Sequence, residues 1–293
     1  MRLLVTGAGG RLGSRLAEAA APAYQVYLHY HHLSDRGISP HTHAGDLSDT
    51  EHVHELAGTI SPEIIINCAA LADVDRCENE PEHSLSANVS AVKNLLERFP
   101  RAKFVQISTD YVFSGDDSYA ASPPRPHDPT GPINIYGQHK LEAEHATLAA
   151  SADNLVVRVN SLYDYAGKRN IFLNLVTDLA AGNKVTGLAD QISNPIAAFS
   201  AAELILELIE KDAAGVYHVG GRDFVSRYEF ACRVADVFGF DKGFVSSATM
   251  EDFPRPAKRP RYAGLDCTAT EKFLHKAMPS LSDDLTRIKA SWR

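Results

Sequence analysis

The chain has 293 residues, 44% of them apolar and 23% charged, enough to bury one large core or two coupled ones. Its net charge of −8 and pI near 5.9 leave no basic stripe of the kind that binds nucleic acid. No apolar run reaches membrane-spanning length, and the opening run 1–6 is too short for a secretory signal, so a cytoplasmic location is expected.

In chain order, the pattern predicts a strand at 2–6, a helix at 11–21, a strand at 24–29 and a helix at 50–58. A strand follows at 63–68, a helix at 85–99, a strand at 102–108, a helix at 136–150 and a strand at 154–160. Runs such as Ile64-Ile65-Ile66 are apolar on both faces, as in a parallel sheet covered by helices on both sides. The expected fold is therefore α/β, a Rossmann doubly wound parallel sheet. The proline-rich stretch 122–132 interrupts the alternation and reads as a surface loop. Beyond residue 160 the alternation weakens, leaving helical patterns at 171–181, 200–211 and 227–238 and one strand at 215–219. Residues 1–160 are expected to form the dinucleotide-binding domain, with some later segments packing back on it. Residues 161–293 are expected to form mainly a smaller C-terminal α/β substrate lobe.

The turn after the first strand reads Gly7-Ala8-Gly9-Gly10-Arg11-Leu12-Gly13. Gly7 permits a tight turn, Gly10 lets a pyrophosphate approach the backbone, and Gly13 lets helix and strand pack closely. The helix that opens at Arg11 and Leu12 would present amides and the positive end of its dipole to phosphate. At the end of the second strand no carboxylate stands where a ribose 2′-hydroxyl would be bound. Arg36, with His31 or His32, could instead meet a 2′-phosphate, which points to NADP(H) and leaves NAD(H) open. Asp46, after a third short strand, reads equally as an adenine contact or as the N-cap of the next helix.

Tyr136 and Lys140 lie four residues apart, on one face of a predicted helix. A neighbouring ammonium is expected to lower the phenol's pKa and make Tyr136 a general acid. Ser108 and Thr109 end a core strand on the side where ligands bind in this architecture, so either hydroxyl could hold a carbonyl oxygen. The four cysteines, Cys68, Cys77, Cys232 and Cys267, form no metal-binding spacing and are expected to be reduced. Clustered histidines such as His31-His32 and His41-x-His43 lack a carboxylate or cysteine partner, so no metal is expected.

On these residues the sequence resembles the extended short-chain dehydrogenases/reductases, and within them the dTDP-4-dehydrorhamnose reductase (RmlD-like) family. The segments that carry the resemblance run along nearly the whole chain. They are 6–13, Asn67-Cys68-Ala69-Ala70, 74–78, Ala87-Asn88-Val89, Ser108-Thr109-Asp110-Tyr111-Val112-Phe113, Asn134-Ile135-Tyr136-Gly137 with Lys140, 215–218 and 255–266. The resemblance implies NAD(P)H-dependent reduction of a 4-keto group on a nucleotide-linked 6-deoxyhexose. It implies catalytic roles for Thr109 (or Ser108), Tyr136 and Lys140. It places Gly7, Gly10, Gly13, Asp46, Leu47, Ala69 and Ala70 at the cofactor, with Asn88 beside it or purely structural. Arg255 and Arg259 would meet the phosphates of the sugar nucleotide.

The chain departs from the family pattern Arg-Thr-Ser-Trp-Val-Tyr-Gly, reading Arg158-Val159-Asn160-Ser161-Leu162-Tyr163-Asp164, with Leu162 expected in place of the aromatic. Two other readings stay open at this point. One is a dinucleotide-binding regulatory subunit resembling that of methionine adenosyltransferase. The other is an NAD-dependent nucleotide-sugar epimerase or dehydratase; the absence of Glu after Asp110 weighs against the dehydratase. The helices at 85–99 and 136–150 are candidates for a homodimer face.

Overall fold

A computed structural model describes residues 1–33, 39, 41–166 and 170–292 of the chain. The first half alternates as follows: β1 (Arg2–Thr6), α1 (Arg11–Ala20), β2 (Gln25–Tyr30), β3 (Thr42–Ala44), α2 (Thr50–Thr59) and β4 (Ile64–Asn67). Two short helices follow, α3 (Val74–Asn79) and α4 (Pro81–Leu85), and then α5 (Ala91–Arg98), β5 (Lys103–Thr109), α6 (Ile135–Ala150) and β6 (Leu155–Val159). The second half holds β7 (Leu162–Tyr163), α7 (Ile171–Ala180), β8 (Val185–Leu188), β9 (Ile192–Ser193), β10 (Ile196–Ala197), α8 (Ala198–Glu210) and β11 (Gly215–Val219). It closes with β12 (Val225–Ser226), α9 (Arg227–Phe238), β13 (Val245–Ala248), α10 (Thr268–Leu274) and α11 (Leu281–Ser291).

Seven strands form one sheet in the order β11-β6-β5-β4-β1-β2-β3, and every pairing in it is parallel. The order reverses between β1 and β4, where a doubly wound sheet opens its ligand crevice. Burial follows the two-residue period of a strand. Leu3, Val5, Ile64, Ile66, Val105 and Ile107 pack on the face that α1 and α8 cover. Leu4, Ile65 and Phe104 pack on the opposite face with Val53, Leu56, Leu95 and Ala143 from α2, α5 and α6. Each fully buried aliphatic side chain contributes about 1.5–3 kcal/mol, so these two layers dominate the stability of the first half.

The long predicted helix at 85–99 is broken. A π-helical turn over Ser86–Ser90 joins α4 to α5, so three helical segments replace one. The turn aims buried Asn88 at the loop after β4. Its amide oxygen accepts from the Leu71 amide at 2.9 Å, and its amide nitrogen donates to the Leu71 carbonyl at 3.1 Å. A bulge of this kind re-aims one side chain at the cost of helix regularity.

The second half is divided in space. Strand β11 pairs with β6, and α8 packs along α1, so both belong to the main sheet and its cover. A second core gathers Tyr163, Phe172, Leu175, Phe230, Val234, Leu285 and Ile288 from β7, α7, α9 and α11. Three two-stranded pairings, β7 with β10, β8 with β13 and β9 with β12, frame this smaller lobe beside the crevice. Among the described residues, no helix is long and apolar enough to cross a membrane.

Candidate active site

The glycine turn is shaped by backbone contact. Gly7 has φ +63°, and a Cβ there would stand 2.7 Å from the Cys68 carbonyl and the Ala69 amide. A Cβ on Gly13 would stand 2.4 Å from the Gly7 carbonyl oxygen. Helix α1 therefore starts hard against the turn. Its first turn carries no acidic residue, and Gly10 at the N-cap offers no side chain to cap it. This end of α1 thus keeps its positive character for a phosphate, and the residues present fit a dinucleotide. Gly13→Ala is expected to weaken NADPH binding by at least about tenfold, because backbone cannot give way as a side chain can. A fluorescence titration with NADPH reads the change, and an unaltered affinity would contradict the cradle.

The remaining residues expected at the cofactor differ in what they can offer. Arg11 lines the crevice and donates to the Leu162 carbonyl at 3.2 Å. Leu12 and Leu47 are buried in the core, which leaves only their backbone for a ligand. Ala69 is half-buried and Ala70 exposed, on the loop that Asn88 ties down. Asp46 accepts from the amide and the hydroxyl of Ser48, both at 2.8 Å, which closes a turn and lowers its pKa against the opposing effect of burial. The N-cap of α2 is Asp49, which accepts from the Glu51 amide, so the alternative reading of Asp46 as a cap is corrected. His31 and His32 stand exposed at the end of β2, and Arg36 lies outside the described residues.

A cavity of about 380 Å³ opens at the C-terminal ends of β5 and β6. Its wall includes Arg11, Ser108, Thr109, Asp110, Tyr111, Tyr136, Asn160, Ser161, Leu162, Gln191, Ser193 and Arg227. Tyr136 enters it from the first turn of α6, which Asn134 caps by accepting from the Gly137 amide at 2.8 Å. Lys140, one turn further on, is buried and donates to the Ile107 carbonyl at 2.6 Å.

The pKa of the phenol corrects an expectation. Burial raises it above the ordinary tyrosine value, and the Asp110 charge adds to the rise, while the Thr109 hydroxyl pulls the other way. Lys140 is not among the charges that dominate at Tyr136. Its own ammonium is pushed down to about 8 by burial, against the pull of Glu144. Tyr136 is therefore held in its protonated, donating form throughout the neutral range.

The two neighbouring hydroxyls are used differently. Ser108 donates at 2.5 Å to Glu144, which forms a buried two-pronged ion pair with Arg158 at 2.9 and 2.7 Å. Its proton is thus committed inside the protein. Thr109 contacts the buried Asp110 carboxyl at 3.0 Å and accepts from the Tyr111 amide at 3.2 Å. Burial pushes the Asp110 carboxyl up to about 7, although the Thr109 contact and the more distant Arg227 charge favour ionisation.

Several groups at this site were missed in the sequence. A buried polar chain runs from Thr6 through Asn67 to Gln106, which donates to the same Ile107 carbonyl that holds Lys140. It connects the strand under the glycine turn to the lysine. Glu144 offered one signal, since it lies four residues after Lys140 on the same helix face. Asp110 stood in the motif after Thr109 without a role at the threonine hydroxyl, and Arg227 offered no signal.

The two arginines expected at the phosphates lie outside the cavity wall. Arg259 forms an ion pair with Asp75 at 2.9 Å and also donates to the Ala257 carbonyl at 2.9 Å. Arg255 is exposed. Counting from Arg158 to Tyr163 puts the family's aromatic at Ser161 rather than at Leu162, although both line the cavity. Ser161 has φ +38°, a costly conformation for a residue with a side chain, and its hydroxyl meets that of Ser193 at 2.9 Å.

A parallel sheet with a glycine turn at its switch point, and Tyr, Lys and Thr beside it, defines an extended short-chain dehydrogenase/reductase. Residues 1–292 match the RmlD substrate binding domain family, and the chain belongs to it. The chain is 32% identical to the Haloferax volcanii protein named "Probable low-salt glycan biosynthesis reductase Agl14", with 100% of this chain and 98% of the relative covered. It is 31% identical to the dTDP-4-dehydrorhamnose reductase of Escherichia coli K12, over 93% of this chain and 91% of the other. Among solved structures it is similar to a Bacillus anthracis dTDP-4-dehydrorhamnose reductase in complex with NADP. That likeness has a TM-score of 0.87 and 28% identity, and covers 99% of each chain.

Proposed function

We propose that this protein uses NAD(P)H to reduce the 4-keto group of a nucleotide-linked 6-deoxyhexose, as its relatives' names describe. The observation that carries this reading is that Thr109 and Tyr136 share one cavity wall while Lys140 is held directly behind them. Bound reduced nicotinamide supplies a hydride to the carbonyl carbon. The amides of the Gly7–Gly13 turn would hold its pyrophosphate, and Lys140 would position its ribose. Tyr136 gives its proton to the carbonyl oxygen as negative charge develops there. Thr109 donates a hydrogen bond to the same oxygen when Asp110 is protonated, and Ser108 is the less apt of the two because Glu144, paired with Arg158, takes its proton. Residues 161–293 supply mainly the substrate side of the cavity. The same reading places the enzyme in the cytoplasm, where its four unpaired cysteines stay as thiols. The test is loss of nicotinamide absorbance with a panel of nucleotide 4-keto sugars. Absence of turnover on all of them, with NADPH bound, would favour the regulatory-subunit reading.

Asp110 makes the reaction sensitive to pH. As a carboxylate it accepts the Thr109 proton, which is then not available to the substrate. As an acid it can donate to the Thr109 oxygen, leaving the threonine proton for the carbonyl. Because the carboxyl titrates near 7, kcat is expected to fall as pH rises through that value. Lys140, titrating near 8, adds a second falling limb. Asp110→Asn, whose amide always donates, should remove the limb near 7 and leave the one near 8. A pH profile of the variant that keeps both limbs would refute the role. Stability should follow the same direction, because burial makes the folded chain hold this proton more tightly than the unfolded chain does. The contribution is complete below the ordinary carboxylate range and lost as pH rises towards 7.

A further inference from the structure

Arg227 is the first residue of α9, and its side chain forms part of the cavity wall beside Asp110 and Tyr111. Its Nε donates to the Gln191 side-chain oxygen at 2.6 Å, and its backbone amide donates to the Gln191 carbonyl at 3.3 Å. These two bonds fix where the guanidinium sits. They leave its four terminal N–H donors without an acceptor among the described residues. The other arginines of comparable burial are all paired: Arg15 with Asp164, Arg158 with Glu144, and Arg259 with Asp75. Arg227 alone of this set has no carboxylate within ion-pairing distance among the described residues. Burial disfavours its charge, as do the charges of Arg255 and Arg259, and Asp110 and Tyr111 compensate only in part.

A part-buried guanidinium without a counter-ion is costly unless a ligand brings one. The charge count says which ligand. Arg259 is neutralised by Asp75, but Arg227 and the exposed Arg255 both add positive potential on this side of the cavity, in a chain of net charge −8. One carboxylate would balance only one of them. A diphosphate carries enough charge for both, and its oxygens match the forked donors of arginine.

We propose that Arg227 binds the diphosphate of the sugar nucleotide, with Arg255 adding charge from outside. The proposal rests on the nucleotide-sugar reading above and assigns its anion subsite. Gln191 acts as the positioning residue that sets the guanidinium's angle.

The experiment is calorimetric titration of the NADPH-saturated protein with thymidine diphosphate and with thymidine. The native protein is expected to bind the diphosphate at least about 100-fold more tightly. In Arg227→Met that ratio should drop below about tenfold, and in Arg227→Lys it should recover in part. In turnover, the loss in Arg227→Met should fall on KM rather than on kcat. NADPH titration of the variants checks that they fold. An Arg227→Met protein that keeps the native ratio overturns the proposal, as does a native protein that does not distinguish the two ligands. A loss in kcat at unchanged KM also overturns it, since the residue would then act on the chemistry. If the native protein selects the diphosphate through Arg227 yet reduces no nucleotide keto sugar, the subsite stands and the proposed reaction falls. If it reduces such a sugar and Arg227→Met binds and reacts as the native protein does, only the subsite falls.

Discussion

Replacing Tyr136 by Phe is expected to lower kcat by about 10²–10⁴-fold while leaving NADPH affinity nearly unchanged. Burial keeps this cavity phenol protonated at neutral pH, so it can carry the proton that the carbonyl oxygen must receive. Phenylalanine preserves the ring, including its edge-on contact with Tyr111 at 5.9 Å between centroids, and removes only the donor. Lys140 should not move, because the Ile107 carbonyl and not the phenol holds it. Steady-state rates and a cofactor titration on the same preparation check both halves of the statement. A rate within tenfold of the native one would remove Tyr136 from the chemistry.

The largest effect on stability is expected from Arg158→Met, about 3–5 kcal/mol in denaturant unfolding. Arg158 and Glu144 are both almost fully buried and pair through two bonds. Methionine fills much of the volume but takes the ion-pair partner from the Glu144 charge in the core, leaving it the Ser108 hydroxyl. Arg158 also donates to the Pro126 carbonyl at 3.0 Å and lies over the Phe113 ring at 4.9 Å. It therefore pins the proline-rich loop as well as the helix. Adding Glu144→Leu to Arg158→Met should recover most of the loss, because the stranded charge is then gone. A double variant as unstable as the single one would show that the loop contacts, and not the ion pair, carry the energy. Because Glu144 also accepts from Ser108, next to Thr109, activity should fall with stability in the single variant.

Much of the fold could be read along the chain because its determinants are local. Alternating apolar runs and helical patterns place five strands of the main sheet and most of the helices that cover it, and the register of burial in Leu3, Leu4 and Val5 follows from strand geometry alone. The return of β11 and α8 to the first half was less visible, because it depends on pairing between residues some sixty positions apart. The π-helical turn at Ser86–Ser90 was invisible, since nothing in a helical period marks where a bulge will aim Asn88.

The site divides in the same way. Gly7, Gly10, Gly13, Tyr136 and Lys140 stand at short spacings set by one turn and one helix, so sequence by itself brings each group together. Burial is not written at that scale. Whether Tyr136 is acidified by Lys140 or kept protonated by desolvation depended on how β5, α6 and the smaller lobe close over it. Which carboxyl takes the hydroxyl proton was decided by Glu144 for Ser108 and by the titratable Asp110 for Thr109, and which arginine is left without a carboxylate was decided by Asp75 and Gln191. Glu144, Asp75 and Gln191 lie between 36 and 184 residues from their partners, and electrostatic strength in a low-dielectric site depends on distance and solvent exclusion, which tertiary packing alone sets.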